Sequence, residues 1–288
     1  MIEFGRRYLV TGGTGFLGEK LIQRIIGQGG IVRTIARNEG KLIALKEKFG
    51  NDIEIHFGDI ANRFTVEQFM ECPFRGVFHL AAFKHVPLAE TFSMECTNSN
   101  VIGSLHVLDV ATNHNPDFIL GISTDKAAQV AGVYGASKLL MEKAFEQYSH
   151  TYPGIQYRIV RYGNVLYSTG SVLCKWKNIL ENNEHVILTV SNREATRFFW
   201  TLDQALDLVY DCLDNATDSK PYVPEMKAIS IDTLVKAMIE KYGKKCVSVS
   251  ITETGLQKGE NLHEKVLEQG PYSNEVELFT MEEVKAMI

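Results

Sequence analysis

Four glycines fall within seven residues near the start of the chain, and this cluster restricts the fold more than any other feature. The run Gly12-Gly13-Thr14-Gly15-Phe16-Leu17-Gly18 follows an apolar segment at 8–11 and opens a segment at 16–26 with apolar residues at helical spacing. A strand, a glycine turn and a helix in this order aim backbone N–H groups at a pyrophosphate. The pattern predicts a dinucleotide site, with a ligand-free glycine turn as the alternative.

Further strand and helix signals alternate after this unit. Strands are predicted at 31–36, 53–57, 77–81, 118–122 and 157–160, and helices at 41–49, 98–113 and 134–148. Repeated βα units of this length predict an α/β fold with a doubly wound parallel sheet, covered on both faces.

The pattern changes after about residue 165. Helices are predicted at 172–180, 203–213 and 231–242, with a short strand at 186–190 and a polar, proline-containing linker at 214–224. We therefore expect a dinucleotide-binding Rossmann domain at 1–165 and a smaller substrate lobe at 166–288. Some segments of the second part are expected to return to the first.

Composition excludes several classes of function. The 30 Lys and Arg residues against 35 Asp and Glu give a net charge of −5, so no broad basic field predicts nucleic-acid binding. No uncharged stretch reaches the roughly 18 residues that span a bilayer, and no signal peptide is evident, so we expect a cytoplasmic protein. The five cysteines are expected to be buried free thiols, and neither Cys nor His spacing predicts a metal site.

Arg37 stands at the end of the second predicted strand, where a fold that prefers NAD places an acidic residue on the ribose 2′-hydroxyl. A guanidinium suits a 2′-phosphate instead, so the sequence favours NADP. An exposed arginine at a helix start is the alternative.

Tyr134 and Lys138 lie four residues apart on a predicted helix and therefore share a face. The ammonium would lower the pKa of the phenol, which could then remove a proton from a carbinol during hydride transfer. Ser123 or Thr124, at the end of the preceding strand, could hydrogen-bond the same oxygen. The spacing indicates hydride chemistry, although Tyr-x-x-x-Lys alone also occurs by chance.

These motifs resemble the inverting UDP-N-acetylglucosamine 4,6-dehydratase/5-epimerase family, which belongs to the extended short-chain dehydrogenase/reductases. The resemblance covers almost the whole chain, and Asp125-Lys126 is its most specific element, since most short-chain relatives lack that pair. The matching runs are Ser123-Thr124-Asp125-Lys126-Ala127-Ala128, Tyr134-Gly135-Ala136-Ser137-Lys138, Ala81-Ala82-Phe83-Lys84-His85-Val86-Pro87, Arg161-Tyr162-Gly163-Asn164-Val165, Thr196-Arg197-Phe198 and Gly259-Glu260-Asn261-Leu262-His263-Glu264.

The resemblance implies a catalytic set in which Tyr134 is the base at C4 of the sugar, Lys126 the base at C5 and Asp125 the acid for the C6 oxygen. Thr124 and Lys138 complete it. Oxidation at C4 acidifies the C5 proton, water leaves from C5 and C6, hydride returns to C6, and C5 is reprotonated on the opposite face. Lys126 would need a lowered pKa, which we expect from burial and from nearby Lys138. A surface ion pair is the alternative for Asp125 and Lys126.

The resemblance also implies an NADP site. Asp59 would meet the adenine amino group, with helix capping as the alternative, and Asn98 would anchor the loop after the fourth strand, with helix packing as the alternative. The implied cofactor residues are Gly12, Thr14, Gly15, Phe16, Leu17, Gly18, Arg37, Asp59, Ile60, Ala81, Ala82, Lys84, Asn98, Tyr134 and Lys138.

UDP-N-acetylglucosamine is the implied substrate, and a homo-oligomer the implied assembly. The residues implied to bind the substrate are Lys84, His85, Asn164, Arg197, Lys258 and Glu260; structural roles are the alternative for each. Relatives carry an arginine where this chain has Gln257, and a lysine where it has Asn261, so Lys258 would replace the arginine as a point charge. The alternatives for function are a nucleotide-sugar 4-epimerase or 4-reductase that uses only Tyr134 and Lys138, and an NADP-sensing protein without turnover.

Overall fold

The computed structural model describes residues 2–288. Its strands are β1 (Arg7–Thr11), β2 (Ile31–Ala36), β3 (Ile53–Phe57), β4 (Gly76–His79), β5 (Phe118–Thr124), β6 (Gln156–Tyr162), β7 (Asn164–Val165), β8 (His185–Val190), β9 (Thr196–Trp200), β10 (Pro221–Tyr222), β11 (Ala228–Ser230) and β12 (Ser248–Glu253). Its α-helices are α1 (Phe16–Gly27), α2 (Glu39–Phe49), α3 (Arg63–Met70), α4 (Val86–Thr91), α5 (Ser93–Thr97), α6 (Gly103–Asn113), α7 (Val133–Thr151), α8 (Val172–Asn182), α9 (Leu202–Asn215), α10 (Ile231–Tyr242) and α11 (Met281–Met287).

Seven strands form one parallel sheet in the order β10-β6-β5-β4-β1-β2-β3. Side chains alternate across this sheet: Tyr8 and Val10 of β1 face one apolar cluster with α1 and α9, whereas Leu9 faces another with α3, α6 and α7. The predicted doubly wound α/β architecture, with helices on both faces, is therefore confirmed.

The strand order reverses at β1, which lies between β2 and β4. Chain connections leave β1 and β4 in opposite directions at this point, so a crevice opens beyond the carboxyl ends of the strands. The carboxyl ends of β1, β2, β4 and β5 all face this crevice, and the sequence motifs follow directly from them.

The C-terminal part builds a smaller lobe around its own apolar cluster. Two small sheets, β11-β9-β7 and β12-β8, pack there with α8, α10 and α11. Two other segments of this part join the large sheet instead: β10 pairs with β6, and α9 packs on the same face as α1.

Candidate active site

A cleft of about 650 Å³ opens at the point where the strand order reverses. Its walls come from the glycine turn, the ends of β2 and β3, the loop after β4, the end of β5, the first turns of α7, and β7. The cofactor residues implied by the resemblance that line it are Gly12, Thr14, Gly15, Phe16, Leu17, Gly18, Arg37, Asp59, Ile60, Ala81, Ala82, Lys84, Tyr134 and Lys138.

The glycine turn is packed too tightly for a side chain at Gly12 or Gly18. Gly12 has φ +73°, and a Cβ there would lie 2.7 Å from the backbone nitrogen of Ala81. A Cβ on Gly18 would lie 2.4 Å from the carbonyl oxygen of Gly12. Helix α1 begins after Gly15 without a side-chain cap, so the first N–H groups of the helix are left for a ligand. This cradle fits the pyrophosphate of a dinucleotide.

Arg37 and Asp59 face each other at the mouth of the cleft, with Arg37 Nη1 3.4 Å from Asp59 Oδ2. Asp59 Oδ1 accepts from the Ala61 backbone N–H, whereas the N-cap of α3 is Asn62 rather than Asp59. Lys41, on the first turns of α2, also lines the cleft, although the sequence did not single it out. Two cations and one carboxylate therefore surround this end of the cleft.

The loop after β4 is held by a buried asparagine. Asn100 Oδ1 accepts from the Phe83 N–H at 2.7 Å, and Asn100 Nδ2 donates to the Phe83 carbonyl at 2.9 Å and to Ser137 Oγ at 2.9 Å. The expectation that Asn98 anchors this loop was wrong. Asn98 is exposed because the chain makes a π-helical turn at Asn98–Ile102, which brings Asn100 inward instead.

A second buried chain of hydrogen bonds joins β1 to β4 beside the cleft. The Ala81 N–H donates to Thr11 Oγ1 at 3.1 Å, and Thr11 Oγ1 lies 2.8 Å from His79 Nδ1. His79 Nε2 lies 2.8 Å from Ser104 Oγ, whose proton goes to the Asn100 carbonyl. Ser104 Oγ must accept from Nε2, so Nε2 carries a proton, and the lowered pKa of His79 leaves Nδ1 without one. Burial, with a smaller effect of Lys138, lowers the pKa of His79 to about 3.

Tyr134 and Lys138 lie on adjacent turns of α7 and both line the cleft. Lys138 Nζ contacts Met141 Sδ at 3.1 Å, and burial lowers its pKa to about 8. Burial raises the pKa of Tyr134 to about 12, against smaller lowering effects from Lys126 and Thr124. The expectation that Lys138 lowers the phenol pKa therefore does not hold here, since the cation that acts on Tyr134 is Lys126.

The two predicted strand-end hydroxyls have different partners, and only Thr124 hydrogen-bonds Tyr134. Ser123 Oγ donates to Glu142, which is paired in turn with the buried guanidinium of Arg161. Thr124 Oγ1 donates to Asp125 Oδ1 at 2.9 Å and contributes a hydrogen bond to Tyr134. Thr124, rather than Ser123, is thus the strand-end hydroxyl that lies against Tyr134.

Asp125 and Lys126 form a 3₁₀ turn directly after β5, and Lys126 Nζ donates to Asp125 Oδ1 at 3.0 Å. Asp125 is fully buried and does not line the cleft, whereas Lys126 does. Burial pushes the pKa of Lys126 down, but the carboxylates of Asp125 and Glu264 outweigh it and the pKa is raised. The expected lowering of this pKa was wrong, because two buried carboxylates, first Asp125 and then Glu264, stabilise the ammonium.

The residues implied to bind substrate divide into two groups. Asn164, Lys84 and His85 line the cleft, and Lys84 Nζ donates to the Thr169 carbonyl on its opposite wall at 2.9 Å. Arg197 lies behind the cleft and donates to the carbonyls of Thr196 and Leu262.

The two implied residues of the 257–262 loop lie outside the cleft. Lys258 is exposed and pairs with Glu90 at 3.3 Å. Glu260 accepts from the Gln257 N–H at 3.1 Å. Neither side chain reaches the cleft in this conformation.

Sequence reasoning missed several residues that the fold brings to the site, namely Lys41, Ser99, Asn100, Tyr162 and Glu264. Glu264 stood within a quoted motif, yet no spacing rule connects it to Lys126. Its role depends on a contact between the two lobes, which local sequence patterns do not report.

Two other expectations concern metals and thiols. Among residues 2–288, no group of His, Cys, Asp and Glu side chains could hold a metal ion. The five cysteines are free, but only Cys96 and Cys212 are buried; Cys72, Cys174 and Cys246 are partly exposed, contrary to expectation.

Comparison with known proteins places the chain in a family. A family model described as polysaccharide biosynthesis protein matches residues 8–285. The chain belongs to this polysaccharide biosynthesis family. An uncharacterized membrane protein of Methanocaldococcus jannaschii is 32% identical over 288 residues, covering 97% of this chain and 84% of that protein. No helix within residues 2–288 is long and apolar enough to cross a bilayer.

A UDP-glucose 4-epimerase of Rickettsia conorii is 32% identical over 267 residues, covering 90% of this chain and 76% of that protein. Among solved structures, Pen from Bacillus thuringiensis matches with a TM-score of 0.92 and 26% identity, covering 99% of this chain and 97% of Pen. DesIV, a dTDP-glucose 4,6-dehydratase from Streptomyces venezuelae with NAD bound, matches with a TM-score of 0.79 and 18% identity, covering 98% and 95%. This chain thus shares the fold of extended short-chain epimerases and dehydratases.

Proposed function

We propose that this protein is an NADP-dependent UDP-N-acetylglucosamine 4,6-dehydratase that inverts C5. The product would be UDP-2-acetamido-2,6-dideoxy-β-L-arabino-hexos-4-ulose, a precursor for polysaccharide biosynthesis. The observation that carries this proposal is the Asp125–Lys126 hydrogen bond of 3.0 Å beside Tyr134, because it adds an acid–base pair to the hydride machinery. A nucleotide-sugar 4-epimerase removes no water, so its reaction does not require this acid–base pair.

The cofactor would lie along the cleft with its pyrophosphate on the Gly12–Gly18 turn and its adenosine ribose near Arg37 and Lys41. These cations support NADP because a 2′-phosphate gives them an anion to bind. The bound nicotinamide would supply the capacity to accept a hydride from C4 and to return one to C6. Lys138, at the inner end of the cleft, would hold the nicotinamide ribose.

Tyr134 would take the proton of the C4 hydroxyl as C4 is oxidised. Its phenol needs help to ionise, because burial raises its pKa to about 12. The ammonium of Lys126 stabilises the phenolate that forms, and the Thr124 hydroxyl does so too once its proton turns from Asp125 Oδ1 to the phenolate oxygen. Tyr134 would then hold this proton until it is delivered to C5 as hydride returns to C6, which leaves C4 as the carbonyl and restores the phenolate for the next turnover.

Asp125 and Lys126 would perform the elimination with one shared proton. Transfer from Lys126 to Asp125 along their hydrogen bond turns the ion pair into an amine and a carboxylic acid. The amine then takes the C5 proton, and the acid gives its proton to the departing C6 oxygen, which leaves as water. The pair is again an ammonium and a carboxylate, so atoms and charges balance. Asp125 is buried behind Lys126, so its contact with the sugar requires a shift of the 3₁₀ turn.

A nucleotide-sugar 4-epimerase is the second candidate. Asp125 does not line the cleft, and a relative of 32% identity is named UDP-glucose 4-epimerase. In that reaction Tyr134 and Lys138 suffice, since hydride leaves C4 and returns to it. The two candidates differ in whether water is lost.

The deciding experiment is incubation of the purified protein with UDP-N-acetylglucosamine, without added reductant, followed by mass spectrometry and NMR of the nucleotide sugar. We expect a product lighter by one water, with inverted C5. A product of unchanged mass with C4 inverted would support the epimerase instead.

Variants of the pair test the assignment of roles. We expect Lys126→Ala and Asp125→Asn to abolish dehydration while the dissociation constant for NADP stays unchanged. Lys143→Ala is the matched control, because Lys143 is an exposed lysine on α7 that forms an ion pair with Glu146. Full dehydratase activity in both pair variants would remove Asp125 and Lys126 from the mechanism.

We also propose that the protein works as a homo-oligomer. Helices α4, α5 and α7 pack together and leave apolar side chains exposed, namely Leu88, Phe92, Met94 and Leu140. Such a patch costs free energy in water and suits a second copy of the chain. Light scattering coupled to size exclusion should give a multiple of 32.3 kDa.

A further inference from the structure

Lys126 lies between two buried carboxylates that come from distant parts of the chain. Its Nζ is 3.0 Å from Asp125 Oδ1 and 3.6 Å from Glu264 Oε1. The side chains of Asp125 and Glu264 are 0% and 1% exposed. Buried carboxylates need cations nearby, because the loss of hydration costs several kcal/mol for each ion. Lys126 meets that need for both.

The smaller lobe, rather than the catalytic turn, fixes Glu264. The Glu264 N–H donates to Ser273 Oγ at 2.9 Å, and the Ser273 N–H donates to the Glu264 carbonyl at 2.8 Å. Ser273 Oγ also lies 2.6 Å from Thr196 Oγ1 on β9. Asn261 Nδ2 donates to Glu264 Oε2 at 3.4 Å, which orients the carboxylate.

Charged and titratable groups face Lys126 from four elements. Asp125 belongs to its own 3₁₀ turn, Glu264 to the C-terminal segment, Arg197 to β9 and Tyr134 to α7. Arg197 Nε lies 3.7 Å from the same Glu264 Oε1 that faces Lys126. The cluster thus contains two carboxylates, Asp125 and Glu264, and two cations, Lys126 and Arg197. Without Glu264 the two cations would face one carboxylate.

We propose that Glu264 is a positioning residue for the elimination: it holds Lys126 as an ammonium against Asp125 in the resting enzyme. The inference rests on the proposed dehydratase function. Its consequence is that the transfer of one proton from Lys126 Nζ to Asp125 Oδ1 is a distinct step, in which an N–H bond breaks and an O–H bond forms. Glu264 opposes that step until substrate rearranges the cluster, so the amine does not exist before substrate is in place.

The direct test observes Lys126 without turnover. Protein labelled with ¹³C-lysine is titrated by NMR up to about pH 10, and the Lys126 signal is identified by its loss in Lys126→Met. We expect the wild-type signal to stay at the ammonium shift throughout. In Glu264→Gln we expect the titration midpoint to fall to about pH 10 or below, so that the signal moves toward the amine shift within this range.

Two variants from the same cluster separate a charge effect from damage to the fold. Arg197→Gln removes a cation, so Lys126 should remain an ammonium to at least the wild-type pH. Glu264→Asp keeps the anion and should restore the wild-type titration. Glu275→Gln, in the same C-terminal segment but bonded to the Tyr272 N–H, should not change it. If Glu264→Gln and wild type titrate alike, or if Arg197→Gln shifts in the same direction as Glu264→Gln, the proposal is overturned.

Kinetics then connects the position of Glu264 to the reaction. We expect the alkaline limb of kcat for Glu264→Gln to move to lower pH by about one unit or more, with KM for the nucleotide sugar little changed. If the Lys126 titration shifts in Glu264→Gln but the alkaline limb of kcat does not move, the link between Glu264 and the elimination is overturned. If the wild-type protein releases no water from UDP-N-acetylglucosamine, the proposed function fails, and the NMR result still decides whether Glu264 holds the ammonium.

Discussion

Arg37 faces Asp59 across the mouth of the cleft, with the guanidinium 3.4 Å from the carboxylate. Both side chains are largely exposed, so the ion pair itself contributes little to stability. The acid instead orients a cation at the end of β2, where a dinucleotide fold presents the ribose of the adenosine.

We therefore expect Arg37→Ala to weaken NADP binding by about tenfold to a hundredfold, as befits the loss of a hydrogen-bonded charge pair. NAD lacks the 2′-phosphate, so its binding should change little. Fluorescence titration with both cofactors measures the ratio. Arg24→Ala is the control, because Arg24 is an exposed arginine on α1 that pairs with Asp207. Tighter binding of NAD than of NADP by the wild type would contradict the assignment.

Gly18→Ala should disrupt the cradle. The new Cβ would lie 2.4 Å from the Gly12 carbonyl oxygen, which is backbone and cannot move without moving the turn. We expect a loss of about 1–3 kcal/mol in the free energy of unfolding and at least a tenfold weaker cofactor affinity. Gly27→Ala, at the other end of the same helix, meets nothing within 4 Å. It should bind cofactor normally and be as stable as wild type or up to about 1 kcal/mol more stable.

Burial of Lys138 should make stability depend on pH. Its folded-state pKa of about 8 lies below the unfolded value of 10.5, so between these values the unfolded chain binds more protons than the folded one. The contribution of Lys138 to the free energy of unfolding should therefore rise by up to about 3 kcal/mol as pH increases from 8 to 10.5. Urea unfolding at several pH values should show a steeper rise for wild type than for Lys138→Met. Lys143→Met is the exposed control on the same helix; equal slopes in all three proteins would contradict the prediction.

His79 should remain neutral down to acidic pH. Its folded-state pKa of about 3 lies below the unfolded value of 6.5, so stability should fall as pH drops through 6.5 toward 3. Nitrogen-15 NMR of the histidine rings should show the tautomer protonated at Nε2 at pH 5, because Ser104 Oγ can only accept there. A His79→Gln variant should lose the acid-dependent component of stability. A ring of His79 that is protonated on both nitrogens at pH 5 is the result that would refute this prediction.

Much of the dinucleotide half could be predicted from local pattern. Strands β2 and β3 have the predicted bounds, because each is a continuous apolar or alternating run that ends at a polar or glycine residue. Strand β4 was predicted at 77–81 but ends at His79. The apolar run continues to Ala82, yet those residues line the cleft, and the last backbone hydrogen bond to β1 runs from the Leu80 N–H to the Thr11 carbonyl.

The smaller lobe was harder to predict because its strands depend on distant partners. Strand β9 carries Arg197 as its second residue and pairs with β11, β7 and the 262–263 segment, none of which is close in sequence. Helices α4 and α5 have 6 and 5 residues, too few for a periodic signal. Asp125, Lys126 and Tyr134 could be predicted as site residues because they lie within ten residues of one another. Glu264 could not, because it is distant from them in sequence.

The pairing of β10 with β6 has a consequence for synthesis on the ribosome. The sheet edge at β6 and the apolar face beneath α9 stay uncovered until residues 202–222 have been translated. A nascent chain that has emerged only as far as residue 165 would expose that edge, so the first half must wait for the second before it can finish folding.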